Sequence, residues 1–446
     1  MKAIIIILTK ALSFVGRLIG KGTSLPGKIA LKLCPTILSQ LTLPKNVIAV
    51  TGSNGKTSTV EMIAYILTAS GKNVVYNKEG SNQIEGVATL LICNSNLRGK
   101  VRGDAVILES DERYARHTFK YIKPTCFAVT NLYRDQLTRN AHPYRIYDIL
   151  QDAVDLVPDA TLLLNADDPI VRGFGKGRDN ALYFGMEQNA YSTTEQDGIY
   201  NDCYYCPNCK GELKYNFFHY AHLGDYACEN CGYTRPERAY TVDTADLEEG
   251  AITVNGNKIS LAFASRYNVY NLCAAFAAAS IAGADGQSIA AAMSDFVMKN
   301  GRIVTFKAGD NQGLLITSKH ENSTSYNQSL EYVCNRKNPC DLYIIVDAIS
   351  RKYYTAETSW LWDIAFEKIA KSNVKRVTLC GSYANDLAVR FSVMDLGDAE
   401  VVVQPDLDQM AKQMSEMQGM ELYVITCFSD KDKLFSRVDV QTPVAK

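Results

Sequence analysis

Six consecutive residues, Gly52-Ser53-Asn54-Gly55-Lys56-Thr57, stand between a short apolar run and a helical pattern in VIAVTGSNGKTSTVEMIAYIL, Val47 to Leu67. Such residues suit phosphate. Two glycines let the backbone approach anionic oxygen, the N–H groups opening the next helix favour negative charge, Lys56 adds a point charge, and Thr57 offers a hydroxyl to Mg2+. The spacing is G-x-x-G-K-T, with Val50 where the longer form of this motif has its first glycine. A glycine turn with an incidental lysine is the competing reading, but strand, compact loop and helix occur here in the right order. Glu109, in LESDE, is a candidate carboxylate for Mg2+ bridging phosphate oxygens, or else a surface acid. NLYRDQLTR (Asn131 to Arg139) and NADDP (Asn165 to Pro169) supply further polar groups, or ordinary loops and caps.

A second group of residues does metal chemistry. Five of the 13 cysteines fall between Cys203 and Cys231. Cys206-x2-Cys209 and Cys228-x2-Cys231, with 18 residues between the pairs, have the spacing of a four-cysteine zinc ribbon. Four thiolates close a tetrahedral structural site and compensate for a core too small to fold alone. Cys203 repeats the spacing once more as a spare ligand, and His219 and His222 are read as ordinary side chains because four thiolates suffice. The remaining cysteines are scattered, which fits a reducing cytoplasm better than a disulfide framework.

The elements that position these residues follow from hydrophobic pattern. AVILES, CFAVTNL and TLLLNADDP are continuous apolar runs with polar tails, separated by helix-length segments. That pattern predicts a parallel sheet covered on both faces, with ligands collecting at the carboxyl ends of its strands. A second alternating region, with LYIIVDA, VKRVTLCGS and ELYVITCFS as strands, predicts a separate Rossmann-like α/β domain at 313–446. Residues 46–312 form the nucleotide-binding domain, with the ribbon inserted at 201–236. Residues 1–45 form an amphipathic arm. Its apolar run Ala3 to Leu8 is too short to span a bilayer, so it predicts either a helix packed on the body or one lying on an anionic membrane surface. The 446 residues suffice for two to four domains, and 47 Lys+Arg against 48 Asp+Glu give no general attraction for nucleic acid.

TGSNGKT, NLYRDQL, LNADDP and YNVYNLCAA (Tyr267 to Ala275), in this order and spacing, resemble the Mur ligase family of ATP-dependent amide-forming enzymes of peptidoglycan synthesis. GKGTSLPGKIALKL, the cysteine insertion, SWLWDIAFE (Ser359 to Glu367) and GSYANDLAVRF (Gly381 to Phe391) are similar to the branch that supplies the ligase subunit of lipid II isoglutaminyl synthase. The resemblance implies that ATP held at Gly52 to Thr57 with Mg2+ on Thr57 and Glu109 phosphorylates a carboxylate, and that ammonia then displaces phosphate. It places Asn131, Asn268 and Asn271 beside the nucleotide, Asn165 and Asp168 on the base side, and Arg302 near ribose or phosphates, although Asn300 replaces the family's phenylalanine before Gly301-Arg302. The implied acceptor is the α-carboxylate of D-glutamate in the lipid II stem peptide. The implied partner is a GatD-like glutamine amidotransferase in a heterodimer, at the inner face of the membrane and without nucleic acid.

One segment departs from that branch. The loop before SWLWD, where its members carry aspartate and glycine and lend the partner a carboxylate, reads ISRKYYTAETSWLWD. Glu357 is the nearest replacement acid, flanked by Asp347 and Asp363. SKHENSTSYNQSLEY (Ser318 to Tyr332) is also altered. Two other functions stay open on this sequence: a Mur-type ligase adding an amino acid to a cell-wall precursor, and a non-catalytic nucleotide-binding scaffold for an amidotransferase.

Overall fold

The computed structural model describes residues 2–18, 22–77, 82–196, 198–297, 303–348, 357–417 and 419–443. The chain divides into two compact units: the first holds 1–133, 143–196 and 203–296, and the second holds 134–142, 197–202 and 297–446.

In the first unit the strands are β1 (Asn46–Thr51), β2 (Val74–Tyr76), β3 (Ala105–Glu109), β4 (Cys126–Val129), β5 (Thr161–Asn165), β6 (Ala181–Met186), β7 (Lys214–Tyr220), β8 (Leu223–Ala227), β9 (Tyr240–Asp246), β10 (Ala251–Val254) and β11 (Asn257–Ser260). Among the described residues nine of them make one sheet, ordered β11-β10-β9-β6-β5-β4-β1-β3-β2. From β2 to β9 every pairing is parallel, and β9-β10-β11 close the edge as an antiparallel meander. Every residue of β3 and β4 is buried, as continuously apolar strands covered on both faces must be. Val50 pairs with Glu109, so the polar tails of β1 and β3 emerge side by side. The pair β7 and β8 forms the small sheet of the cysteine insertion.

The N-terminal arm is not a free appendage. Helix α1 (Lys2–Leu18) packs on α2 (Leu25–Leu33) and on α4 (Ile84–Cys93), the helix after α3 (Lys56–Ala69). Ile5, Ile6 and Ala30 join the core shared with Val47, Val106 and Leu108. Gly27 is needed for that docking: its N–H donates to Thr89 Oγ1 at 2.8 Å, and a Cβ there would meet the Glu85 carbonyl oxygen at 2.0 Å. One side of the arm is therefore packed against the body.

In the second unit the strands are β12 (Ile303–Ala308), β13 (Asn311–Ser318), β14 (Cys340–Ile345), β15 (Val374–Cys380), β16 (Glu400–Gln404), β17 (Glu421–Cys427) and β18 (Asp439–Pro443). They make a sheet ordered β16-β15-β14-β17-β13-β12-β18 among the described residues, parallel from β16 to β13 and antiparallel at β12 and β18. The expected boundary at 313 falls inside β13. Sequence pattern missed β12 because a β12-β13 hairpin needs only the short turn at Gly309, φ +59°. Part of NLYRDQLTR also belongs here: Asp135 is paired with Lys319 and accepts from Asn322 Nδ2 at 3.0 Å, while Gln136 N–H donates to Glu321 O.

Candidate active site and cysteine centre

The phosphate loop connects β1 to α3. Gly52 (φ +136°) and Gly55 (φ +86°) take backbone angles that side chains resist, and the space at both is filled: a Cβ at Gly52 would lie 2.1 Å from Thr130 Oγ1, and one at Gly55 would lie 2.0 Å from Asn271 Oδ1. Asn131 holds the loop from both sides, its Oδ1 accepting from Asn54 N–H at 2.8 Å and its Nδ2 donating to Asn54 O at 3.1 Å. Ser53 is tied to Tyr133 by N–H···Oγ at 2.9 Å and Oγ–H···O at 3.2 Å. The loop's shape is thus set by the end of β4 and by the helix Arg266–Ile281.

Charge is arranged around Lys56 and Thr57. Lys56 is buried, forms an ion pair with buried Glu112, and donates to Gly52 O. Thr57 Oγ1 donates to Glu109 Oε2 at 2.8 Å, and Asn82 Nδ2 donates to Glu109 Oε1 at 3.1 Å. A hydroxyl and a carboxylate oxygen so close are hard donors of the kind Mg2+ takes alongside phosphate oxygens. Glu112 and Asn82 escaped the sequence reading. Glu112 had a signal, three residues beyond Glu109 in LESDE, but nothing local tells which acid of that run meets the lysine.

The other expected nucleotide residues differ in how they are held. Asn268 is buried, its Nδ2 donates to Phe263 O at 2.9 Å, and its Oδ1 has no partner among the described residues. An orphaned buried acceptor costs about 1–3 kcal/mol, which a donor on a bound molecule would relieve. Asn165 braces strand ends: its Nδ2 donates to Thr130 O at 2.9 Å and its Oδ1 accepts from Asp167 N–H at 3.0 Å. Asp168 caps the turn Pro169–Arg172, accepting from Ile170 and Val171 N–H with Oδ1 and from Leu132 N–H with Oδ2. Arg302 lies outside the described residues.

Cys206, Cys209, Cys228 and Cys231 converge, with their sulfur atoms all within 4.8 Å of one another. A tetrahedral zinc site with Zn–S of about 2.3 Å needs sulfur atoms about 3.8 Å apart. The Cys206–Cys231 and Cys209–Cys228 separations of 3.7 and 3.5 Å fit it. Each knuckle turns the same way: Lys210 (φ +64°) and Gly232 (φ +70°) donate their N–H to Cys206 O and Cys228 O, both at 2.9 Å. Cys203 is buried beside Tyr144, 3.8 Å from its hydroxyl, and outside the four-sulfur cluster.

The insertion also clamps the NADDP loop. Tyr226 and Tyr233 hydroxyls donate to Ala166 O and Pro169 O at 3.0 and 2.6 Å, and Gly224 N–H donates to Asp167 O. Buried Asp167 accepts from Tyr270 Oη at 2.7 Å, Met186 N–H at 2.8 Å and Arg235 Nη1 at 3.3 Å. The two histidines are part of this clamp. His219 Nε2 donates to Met186 O at 3.2 Å, its Nδ1 lies 3.1 Å from Ser192 Oγ, and burial holds its pKa below the ordinary value against the pull of Asp167. His222 Nε2 lies 3.4 Å from Asp168 Oδ1.

In the second unit the three candidate partner-directed acids differ. Asp347 accepts from Ser382 N–H and Oγ at 2.7 and 2.6 Å and pairs with Lys433. Burial alone would raise its pKa, but these partners hold it low. Asp363 is pushed up by burial. Glu357 accepts from Ser359 N–H at 2.8 Å, and hydrogen bonds from the Ser359 side chain and backbone keep its pKa low. Positions 349–356 of the altered loop lie outside the described residues.

Comparison with known proteins agrees with this geometry. Residues 50–279 match the Mur ligase middle domain and residues 320–430 match the MurT ligase C-terminal domain. The lipid II isoglutaminyl synthase (glutamine-hydrolyzing) subunit MurT of Streptococcus pneumoniae is 32% identical over 429 residues, 93% of this chain and 92% of that protein. Its counterpart from Staphylococcus aureus is 28% identical over 420 residues, 94% and 93% of the two chains. Among solved structures, a pseudomurein peptide ligase type C from Methanothermus fervidus superposes with a TM-score of 0.67 at 21% identity, covering 90% of this chain and 80% of that one, a likeness of fold.

Proposed function

The chain belongs to the MurT family of Mur ligases, and from that membership we propose that it is the ligase subunit of a lipid II isoglutaminyl synthase. The α-carboxylate of D-glutamate in the stem peptide takes the γ-phosphoryl group of ATP, releasing ADP. Ammonia then adds to the acyl carbon and phosphate leaves, giving D-isoglutamine. A carboxylate repels nucleophiles, so its activation is what ATP supplies. The observation that carries this reading is the single cluster of Lys56, Thr57, Glu109 and Glu112 at the start of α3.

In this reading Gly52 to Thr57 hold the phosphates, Thr57 and Glu109 would hold Mg2+, Asn131, Asn268 and Asn271 border the nucleotide, Arg302 completes its ribose side, and Asn165 and Asp168 shape its base side by holding the strand ends and the NADDP turn. Lys56 neutralises charge on the transferring group. The four cysteines would hold a zinc ion, whose closed tetrahedral ligation would make the ribbon rigid and, through it, the NADDP loop. A GatD-like glutamine amidotransferase supplies ammonia beside the acceptor, since unprotonated ammonia is scarce near neutral pH. Glu357, partly exposed at the end of the altered loop, is the acid offered to that partner. The pair works at the inner face of the membrane, where a lipid-linked acceptor resides.

The test is the mass of lipid II after incubation with ATP and glutamine, using this chain alone, with a GatD-type partner, and as Lys56→Ala with the partner. Conversion of one –OH to –NH2 only with the intact pair is expected. Unchanged lipid II in every mixture, with nucleotide still bound, would overturn the acceptor assignment.

A further inference from the structure

Helix α1 has its apolar side the wrong way round for a packed helix. The residues it buries include Thr9, Ser13 and Gly16 beside Ile5 and Ile6. The large apolar residues it exposes are Ile4, Ile7, Leu8, Phe14, Val15 and Leu18, with Ile4, Phe14 and Leu18 at 70, 71 and 77% exposure. Their spacing of three, four and seven places all six on one face, an arc about 120° wide at 100° per residue. Thr9 Oγ1 and Ser13 Oγ satisfy themselves on Ile5 O and Gly22 O, so the polar inner side needs no water. The apolar face is left without a protein partner among the described residues. α2 adds exposed Leu25 and Leu33.

The charge of this region identifies what would cover such a face. Residues 1–45 carry Lys2, Lys10, Arg17, Lys21, Lys28, Lys32 and Lys45 and not one Asp or Glu; the first acid of the chain is Glu61. Because the whole chain is nearly neutral, the remainder is net acidic. Lys2 and Lys10 are bonded to carbonyl oxygens of Gln40 and Ser95, with no carboxylate, while Arg17, Lys28 and Lys32 are exposed. No helix among the described residues is long and apolar enough to cross a membrane.

We propose that α1 is a fixed membrane-docking face, lying in the interface of an anionic bilayer with Ile4, Ile7, Leu8, Phe14, Val15 and Leu18 inserted and Arg17, Lys28 and Lys32 at the headgroups. An apolar stripe flanked by cations binds there through buried area plus attraction to anionic lipid. The acidic remainder is repelled by the same surface, which sets one orientation. Docking of the inner side on α2 and α4 makes the helix preformed, so insertion does not have to offset folding of the helix. This deepens the proposed function by bringing the chain to where a lipid-linked acceptor resides, but it rests on the helix alone.

The test is sedimentation of the full chain with vesicles of phosphatidylglycerol and phosphatidylcholine, against phosphatidylcholine alone, without acceptor or nucleotide. Wild type is expected to bind the anionic vesicles and to be released by salt. Phe14→Glu with Leu18→Glu should lower the bound fraction at least about tenfold, and Arg17→Gln about fivefold. Both substituted faces are exposed, so melting midpoints should match wild type. Equal binding of wild type and the double variant, or no preference for anionic lipid, would overturn the proposal. So would light scattering showing a dimer that Phe14→Glu dissociates, because a second copy would then be the occupant. Since the vesicles assay no turnover, failure here leaves the ligase reading standing.

Discussion

The cysteine ribbon and the phosphate loop are built from similar local parts, tight turns with a residue in the left-handed region, but they close in different ways. The ribbon's turns at Lys210 and Gly232 are answered within the insertion, by Cys206 O, Cys228 O and four sulfur atoms. The phosphate loop is answered from across its unit, by Asn82, Glu109, Glu112, Asn131 and Asn271. A metal site concentrates its stabilisation in four ligands close in sequence. A loop meant to receive an anion must leave its N–H groups for the ligand, so distant side chains have to hold its shape.

If that contrast is right, the ribbon should fail as a unit. Cys228→Ser, or chelation, is expected to remove one zinc per chain and unfold residues 201–236, because roughly 10 kcal/mol of apparent metal-binding energy is at stake. Metal analysis and limited proteolysis report this, and a metal-free insertion that stays protease-resistant would break the comparison. Nucleotide affinity should fall with it, since Tyr226 and Tyr233 no longer clamp Ala166 and Pro169.

The phosphate loop should instead separate into function and stability. Lys56→Met is expected to lower turnover about 10³-fold and also to lower the melting midpoint, because it strands Glu112 as a buried charge. Adding Glu112→Gln should restore the midpoint without restoring turnover. Recovery of both would show that the pair is structural only.

Two glycines sharpen the comparison further. Gly55→Ala meets both a positive φ and Asn271 Oδ1 at 2.0 Å, while Gly232→Ala meets a positive φ of +70° and nothing within 4 Å. The first should lose roughly 2–3 kcal/mol and nucleotide affinity, the second about 1 kcal/mol with zinc retained. Equal losses in thermal denaturation would mean that packing at Asn271 is not what holds the loop.

The smallest expected effect is on pH. Burial depresses the His219 pKa, so the unfolded chain binds the proton first. Stability should therefore be complete above the ordinary histidine range and fall on acidification below about pH 6.5, at no more than about 1.4 kcal/mol per pH unit from this group. His219→Gln should flatten that portion of the stability curve.

Much of this was legible from residue order. The zinc ligands and the phosphate loop are runs in which neighbours in sequence are neighbours in space, and β1, β3, β4 and β5 are apolar enough to announce themselves. β12 was not legible, because an antiparallel strand whose burial alternates residue by residue carries no continuous apolar signal. Asp168 reads as a nucleotide contact in NADDP, but its oxygens are occupied by Leu132, Ile170 and Val171 N–H groups. Only the approach of β4 to β5 makes the first of these available.

The sequence by itself determined which atoms can bind phosphate and zinc, because short spacings and glycine conformations are local properties of the chain. Tertiary structure alone decided that Lys56 faces Glu112 and Thr57 faces Glu109, that His219 and His222 brace the Asp167–Asp168 loop, and that α1 buries its polar side. Those outcomes depend on which distant surfaces meet in the core. Burial free energy is summed over the whole unit, and no single segment specifies how its own faces are shared.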